Sequence, residues 1–92
     1  MAHVTLELPS ALEVVLPGLR CIELEAATLA EALATATTKH PGLRTHLFDE
    51  QGAFRQHVLC FHNETNTRWL DSLDVPLEDG DTIRILQAVS GG

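Results

Sequence analysis

Few side chains in this sequence combine the type and the spacing that chemistry requires. Asp79 and Asp81 bracket Gly80 closely enough to be a carboxylate pair for acid–base work. Acidic residues beside a glycine, just ahead of an apolar run, are more often turn formers, and the turn is the favoured reading. His57 and His62 are candidate metal ligands, but their spacing on an extended segment puts them on opposite faces, where one ion cannot be shared. Metal binding is therefore disfavoured. Cys21 and Cys60 lack CxxC spacing and are too few for a disulfide framework or a structural zinc site. Both are expected to be reduced core thiols. Cys60 in particular shares a strand face with Val58, which favours packing over a persulfide role. Trp69 is balanced between a partner anchor and a lid on the core. The sequence ends in Gly91-Gly92, a pair that chance alone supplies in about one chain in 200. Taken alone it reads as a flexible end.

These residues have to be positioned by a small set of elements. His3 to Leu8 alternates polar and apolar, so Val4, Leu6 and Leu8 share one face of a strand that Pro9 ends. Arg20 to Glu25 alternates again with Ile22 and Leu24 together, which predicts a hairpin with a long connection. Thr28 and Glu31 have capping-box spacing, and Leu29, Ala32, Leu33 and Ala36 follow at helical intervals until Pro41-Gly42 stops the helix. A short helical turn is expected over Leu43 to Phe48, and a loop at Asp49 to Gly52. His57 to His62 is extended, with Val58, Cys60 and His62 on one face and Leu59 and Phe61 on the other. Asn63 to Asp74 is polar and turn-forming. The Glu78-Asp79-Gly80-Asp81 turn leads into a last strand, Thr82 to Leu86, with Ile83 and Ile85 inward. Residues 1–86 therefore form one domain, and 87–92 a flexible tail.

This order of elements is that of an α+β domain, with one main helix on one face of a mixed four- to five-stranded sheet. The opposite face is left partly open. Leu59 and Phe61 point to it, so an exposed apolar patch is expected there, of the kind that marks a partner surface. At 92 residues the chain has room for one core and little for a deep catalytic cleft. Six basic against thirteen acidic residues give −7, which disfavours nucleic acid and anionic membranes as partners. No run approaches the ~20 apolar residues of a membrane span, and Met1 to Glu7 lacks a signal-peptide pattern. A cytoplasmic location is the default expectation.

The run from Pro76 to Gly92 resembles the ubiquitin-like β-grasp sulfur carrier family. Proline-leucine, the Asp79-Gly80-Asp81 turn, an apolar strand and a small-residue tail ending in Gly-Gly stand in the family's register. Asn63, Arg68 and Leu70 match positions ahead of that turn, and the likeness extends more loosely over Val4 to Pro9 and the Thr28 helix. In layout the chain is more similar to the carrier that works with a cysteine synthase than to the molybdopterin synthase small subunit or the thiamine-pathway carrier. Gln87 departs from the pattern, since relatives commonly have proline there, and this bears on which partner the tail fits.

The resemblance implies a ubiquitin-like β-grasp fold and a job for the Gly92 carboxylate. In the family an activating adenylyltransferase of the ubiquitin-activating type uses ATP to adenylate that carboxylate. A sulfur donor then displaces AMP, and the thiocarboxylate passes to an acceptor biosynthetic enzyme. A carboxylate is a poor acyl donor, and the mixed anhydride supplies the leaving group that a sulfur nucleophile needs. On this reading Gly92 is the reactive residue, Ser90 and Gly91 form the delivery tail, and Leu59, Phe61, Leu86 and Val89 dock partners. The chain itself binds no cofactor, is not an enzyme and is a monomer when free. The acceptor pathway stays open among cysteine, molybdopterin, thiamine, siderophore and tRNA sulfur, as does trimming of a precursor beyond Gly92. The alternative is a protein modifier joined to lysines through the same activated Gly92. An iron–sulfur β-grasp domain would need four thiolates, which two cysteines do not supply.

Overall fold

Alternation along the chain builds the first hairpin. In the computed structural model, which describes residues 1–87, strand β1 (Ala2–Glu7) buries Ala2, Val4 and Leu6. Strand β2 (Cys21–Ala26) buries Ile22, Leu24 and Ala26. The two pair antiparallel, with Val4 opposite Leu24 and Leu6 opposite Ile22, so the apolar sets fall on one face. Their long connection winds through a 3-10 turn, Ser10–Val14, which tucks Leu12 into the core.

Helix α1 (Leu29–Lys39) starts where the capping pattern places it. The Thr28 Oγ1 accepts from the Glu31 backbone N–H at 3.2 Å. Only this half of the box forms; no return bond from the Glu31 carboxylate accompanies it. Leu29, Ala32, Leu33 and Ala36 make the buried stripe. Pro41 ends α1 and also opens helix α2 (Pro41–Leu47), because its missing N–H leaves no unsatisfied donor at the first helical position. This second helix begins two residues before the turn expected at Leu43 and buries Leu43 and Leu47. A Cβ at Gly42 would lie 2.8 Å from Leu16 Cδ2, the far end of a flexible side chain, so a larger residue there requires Leu16 to shift.

Strand β3 (Val58–His62) and strand β5 (Thr82–Gln87) pair antiparallel, with Leu59 opposite Leu86 and Cys60 opposite Ile85. Between them in sequence, strand β4 (Thr65–Asn66) turns back on β3 at Phe61 and His62. Asn63 takes a φ of 55° to permit that reversal. The resulting five-stranded order is β2-β1-β5-β3-β4, and β1 and β5 run parallel with Leu6 beside Ile83. Parallel neighbours need a crossover, which the α1–α2 segment provides. Both helices cover one face, where Ile83 and Ile85 are fully buried. Each such side chain contributes roughly 1.5–3 kcal/mol by leaving water. The mixed sheet with one principal helix is thus as expected. The helical turn expected over Leu43 to Phe48 is the full helix α2, the two-residue β4 is an addition, and the last strand continues one residue past Leu86 to Gln87.

Candidate functional site

The site is built around β5, the central strand and the last described element. Val58 lies opposite Gln87, the final described residue, so the described part of β5 ends beside the start of β3. Gly92, Gly91, Ser90 and Val89 lie outside the described residues. Leu59 and Leu86 are cross-strand neighbours on the face that the helices do not cover, and Leu86 is 40% exposed. Phe61 shares that face with Arg84 directly opposite it, and the Arg84 Nε donates to Glu7 Oε1 at 3.0 Å. The structure therefore brings Leu59, Phe61 and Leu86 together as one apolar strip, rimmed by an ion pair on β5 and β1.

The other end of β5 is held by Asp81. Its Oδ2 accepts from the Glu78 backbone N–H at 2.9 Å and from His62 Nε2 at 2.8 Å, while Oδ1 accepts from Asn63 Nδ2 at 3.1 Å. The Glu78 amide, then His62 and Asn63, favour the charged form and hold the carboxyl down at about 2. An ionised carboxylate only accepts, so His62 carries its proton on Nε2. Asn63 completes the corner by accepting from the Thr82 backbone N–H at 2.9 Å. Asp79 accepts from the His3 backbone N–H at 2.8 Å, which ties the same turn to β1. Gly80, at φ 89°, occupies the left-handed conformation that the turn demands. Both aspartates are committed to turn geometry, as the sequence pattern suggests. What the pattern did not reveal is that Asp81 also reaches across to the β3–β4 corner; His62 in phase with Val58 and Cys60 was the available signal.

The remaining candidates separate. Cys60 lies in the core, where burial pushes its thiol up to about 11 against a weaker opposing bond from Thr67. A thiol kept neutral in this way is not a nucleophile at neutral pH. Cys21 corrects the expectation of two core thiols: it is free and exposed, because it falls out of phase with Ile22 and Leu24 on the edge strand β2. Trp69 is 79% exposed, which rules out a lid on the core. His57 is exposed, His62 is bound to Asp81, and no group of three or more metal-ligating side chains occurs among the described residues.

The ThiS family model matches residues 16–92, from within the first connection through β5 and the Gly-Gly. The chain belongs to the ThiS family. Consistent with membership, it is 26% identical to the sulfur carrier protein CysO of Mycobacterium tuberculosis, covering 98% of this chain and 99% of that one. In the crystal structure of the Amycolatopsis orientalis BexX/CysO complex, a chain 29% identical superposes with a TM-score of 0.80, covering 97% of this chain and 99% of that one. The small archaeal modifier protein 1 of Methanosarcina acetivorans is 31% identical with a TM-score of 0.79, covering 100% of this chain and 98% of that one. This ThiS-family chain is therefore similar along its whole length both to carriers and to a modifier, and its ubiquitin-like β-grasp fold is theirs. No helix among its described residues is long and apolar enough to cross a membrane.

Proposed function

We propose that this chain is a sulfur carrier that holds sulfur as a thiocarboxylate on Gly92. The observation that carries the reading is the family match, which runs through Gly91 and Gly92 and is accompanied by near-complete overlap with a protein named as a sulfur carrier. The sequence balances as an adenylyl transfer followed by an acyl transfer. A Gly92 carboxylate oxygen attacks the α-phosphorus of ATP and releases pyrophosphate; a sulfur nucleophile then attacks the acyl carbon and AMP leaves with the bonding pair. The first partner is an adenylyltransferase of the ubiquitin-activating type, the second a sulfur donor, and the third an acceptor biosynthetic enzyme. The chain is their co-substrate, not a catalyst, and works as a cytoplasmic monomer with no bound cofactor of its own. Ser90 and Gly91 give the tail a narrow profile, since a glycine has no Cβ to obstruct a partner's active-site channel. Leu59, Phe61 and Leu86 form the docking strip, Val89 adds a further partner contact, and the −7 charge suits partners with basic surfaces around the strip.

The decisive measurement is intact mass after incubation with the organism's own activating enzyme, ATP and sulfide. Exchange of one oxygen for sulfur adds about 16 Da at the C-terminus. An unchanged mass with an enzyme that is active on adenylation refutes the proposal. A second reading, conjugation to lysines of other proteins, is favoured by the 31% identity to a small archaeal modifier protein. A tagged chain in cells distinguishes the two: a ladder of heavier species on an immunoblot means conjugation, and a single band means carriage.

A further inference from the structure

Continuous with the open strip at Leu59, a second unpartnered surface runs around the edge of the sheet. A groove of about 360 Å³ lies along the outer side of β3. Its apolar lining comes from Phe54, Leu59, Leu70 and Leu73, on stretches before, within and after the strand. Because β4 pairs with β3 only at Phe61 and His62, no strand among the described residues flanks Val58–Cys60 on the side away from β5. That stretch lines the groove as a strand edge, with its Val58 N–H already donating to the Arg55 carbonyl at 2.9 Å, and the part of an edge left unpaired accepts extended chains.

The charge of the groove runs against that of the molecule. Arg55 and Arg68 line it from its two flanking stretches, with Asp71 the one acidic lining residue, in a chain whose net charge is −7. Trp69, the neighbour of Arg68, stands 79% exposed beside it. Exposed tryptophan and arginine around an apolar centre are the residues that anchor protein interfaces. The position relative to the tail is equally specific. Val58 lines the groove and faces Gln87 across the ladder. The five residues from there to Gly92 span at most about 18 Å. An enzyme that grips Gly92 therefore comes within reach of the groove.

We infer that this groove receives an extended, acidic segment of the activating enzyme, added along the Val58–Cys60 edge and held between Arg55 and Arg68. The inference rests on the carrier reading, because the unloaded chain is that enzyme's substrate. It assigns a second contact, on the sheet edge, to a partner otherwise expected only at the open face.

Steady-state adenylation with the organism's activating enzyme tests it, using Arg68→Glu and, as a milder change, Arg55→Gln, with thermal melts confirming folding. Arg68→Glu is expected to raise KM for the carrier about tenfold with kcat unchanged, and the wild-type KM to rise with salt. Loading of the wild type together with KM values within twofold for both folded variants overturns the groove and leaves the carrier reading standing. Normal activation but impaired sulfur transfer to the acceptor also overturns it, since the occupant is then the acceptor. A wild type that neither binds the enzyme nor gains sulfur overturns both readings.

Discussion

Asp81 shows how one side chain can set the geometry of a whole strand. Three donors from three places, the Glu78 amide, His62 and Asn63, converge on its two oxygens and align the start of β5 with the β3–β4 corner. Asparagine is nearly the same size but presents one acceptor and two donors, so at least one of those bonds becomes a donor–donor clash. Asp81→Asn is expected to lower stability by roughly 1–3 kcal/mol, read as a shift in urea midpoint with an unchanged m-value. The carboxyl's pH dependence has a definite sign. Its folded pKa of about 2 lies below the ordinary 3.8, so the stabilisation is complete above pH 3.8 and is lost as the pH falls through 2. Acid unfolding followed by circular dichroism should therefore be steeper between those values in the wild type than in Asp81→Asn. Equal slopes would mean that the carboxylate contributes nothing beyond the turn.

At the scale of elements, the parts legible in the sequence are those governed by local periodicity. Val4 and Leu6, Ile22 and Leu24, and Ile83 and Ile85 announce their strands because a half-buried sheet imposes a period of two. The Thr28 cap announces α1, since the chain offers the first-turn amides an oxygen where they need one. Thr28→Ala removes that acceptor and should cost about 1 kcal/mol, measurable as a lower melting temperature, with Thr28→Ser restoring it. The elements that went unread depend on partners distant in sequence. β4 has two residues and exists only because Asn63 reverses the chain onto Phe61 and His62. The exposure of Trp69 likewise follows from the path of the chain after β4, which residue spacing does not encode, whereas that of Cys21 was legible in its phase opposite to Ile22 and Leu24. The Gly-Gly and the Asp-Gly-Asp turn could be read as a family signature, but the phase of His62 alone did not name Asp81 as its partner, because the two stand nineteen positions apart.

Viewed whole, the molecule separates a rigid scaffold from the end that is proposed to react. The buried leucines and isoleucines all precede Leu86, so changes at the apolar strip or beyond it should alter recognition and chemistry without touching the core. Leu86→Glu is the sharpest probe of that separation. Leu86 is 40% exposed and its neighbour Leu59 is only partly buried, so a carboxylate there remains solvated and folding changes little, within about 0.5 kcal/mol. Docking should respond differently. An apolar contact at the centre of an interface is replaced by a charge that must be desolvated on binding, which raises KM for activation by one to two orders of magnitude or about 1.4–2.8 kcal/mol. Deleting Gly92 should do the converse: the melting temperature and the affinity for the activating enzyme stay near wild type while sulfur loading disappears, because the acyl end no longer reaches the nucleotide. Calorimetry, steady-state kinetics and intact mass on the two variants separate these effects. If Leu86→Glu were loaded with wild-type KM, the open strip would not be the docking surface. If the chain lacking Gly92 still gained sulfur, the reacting carboxyl would lie elsewhere.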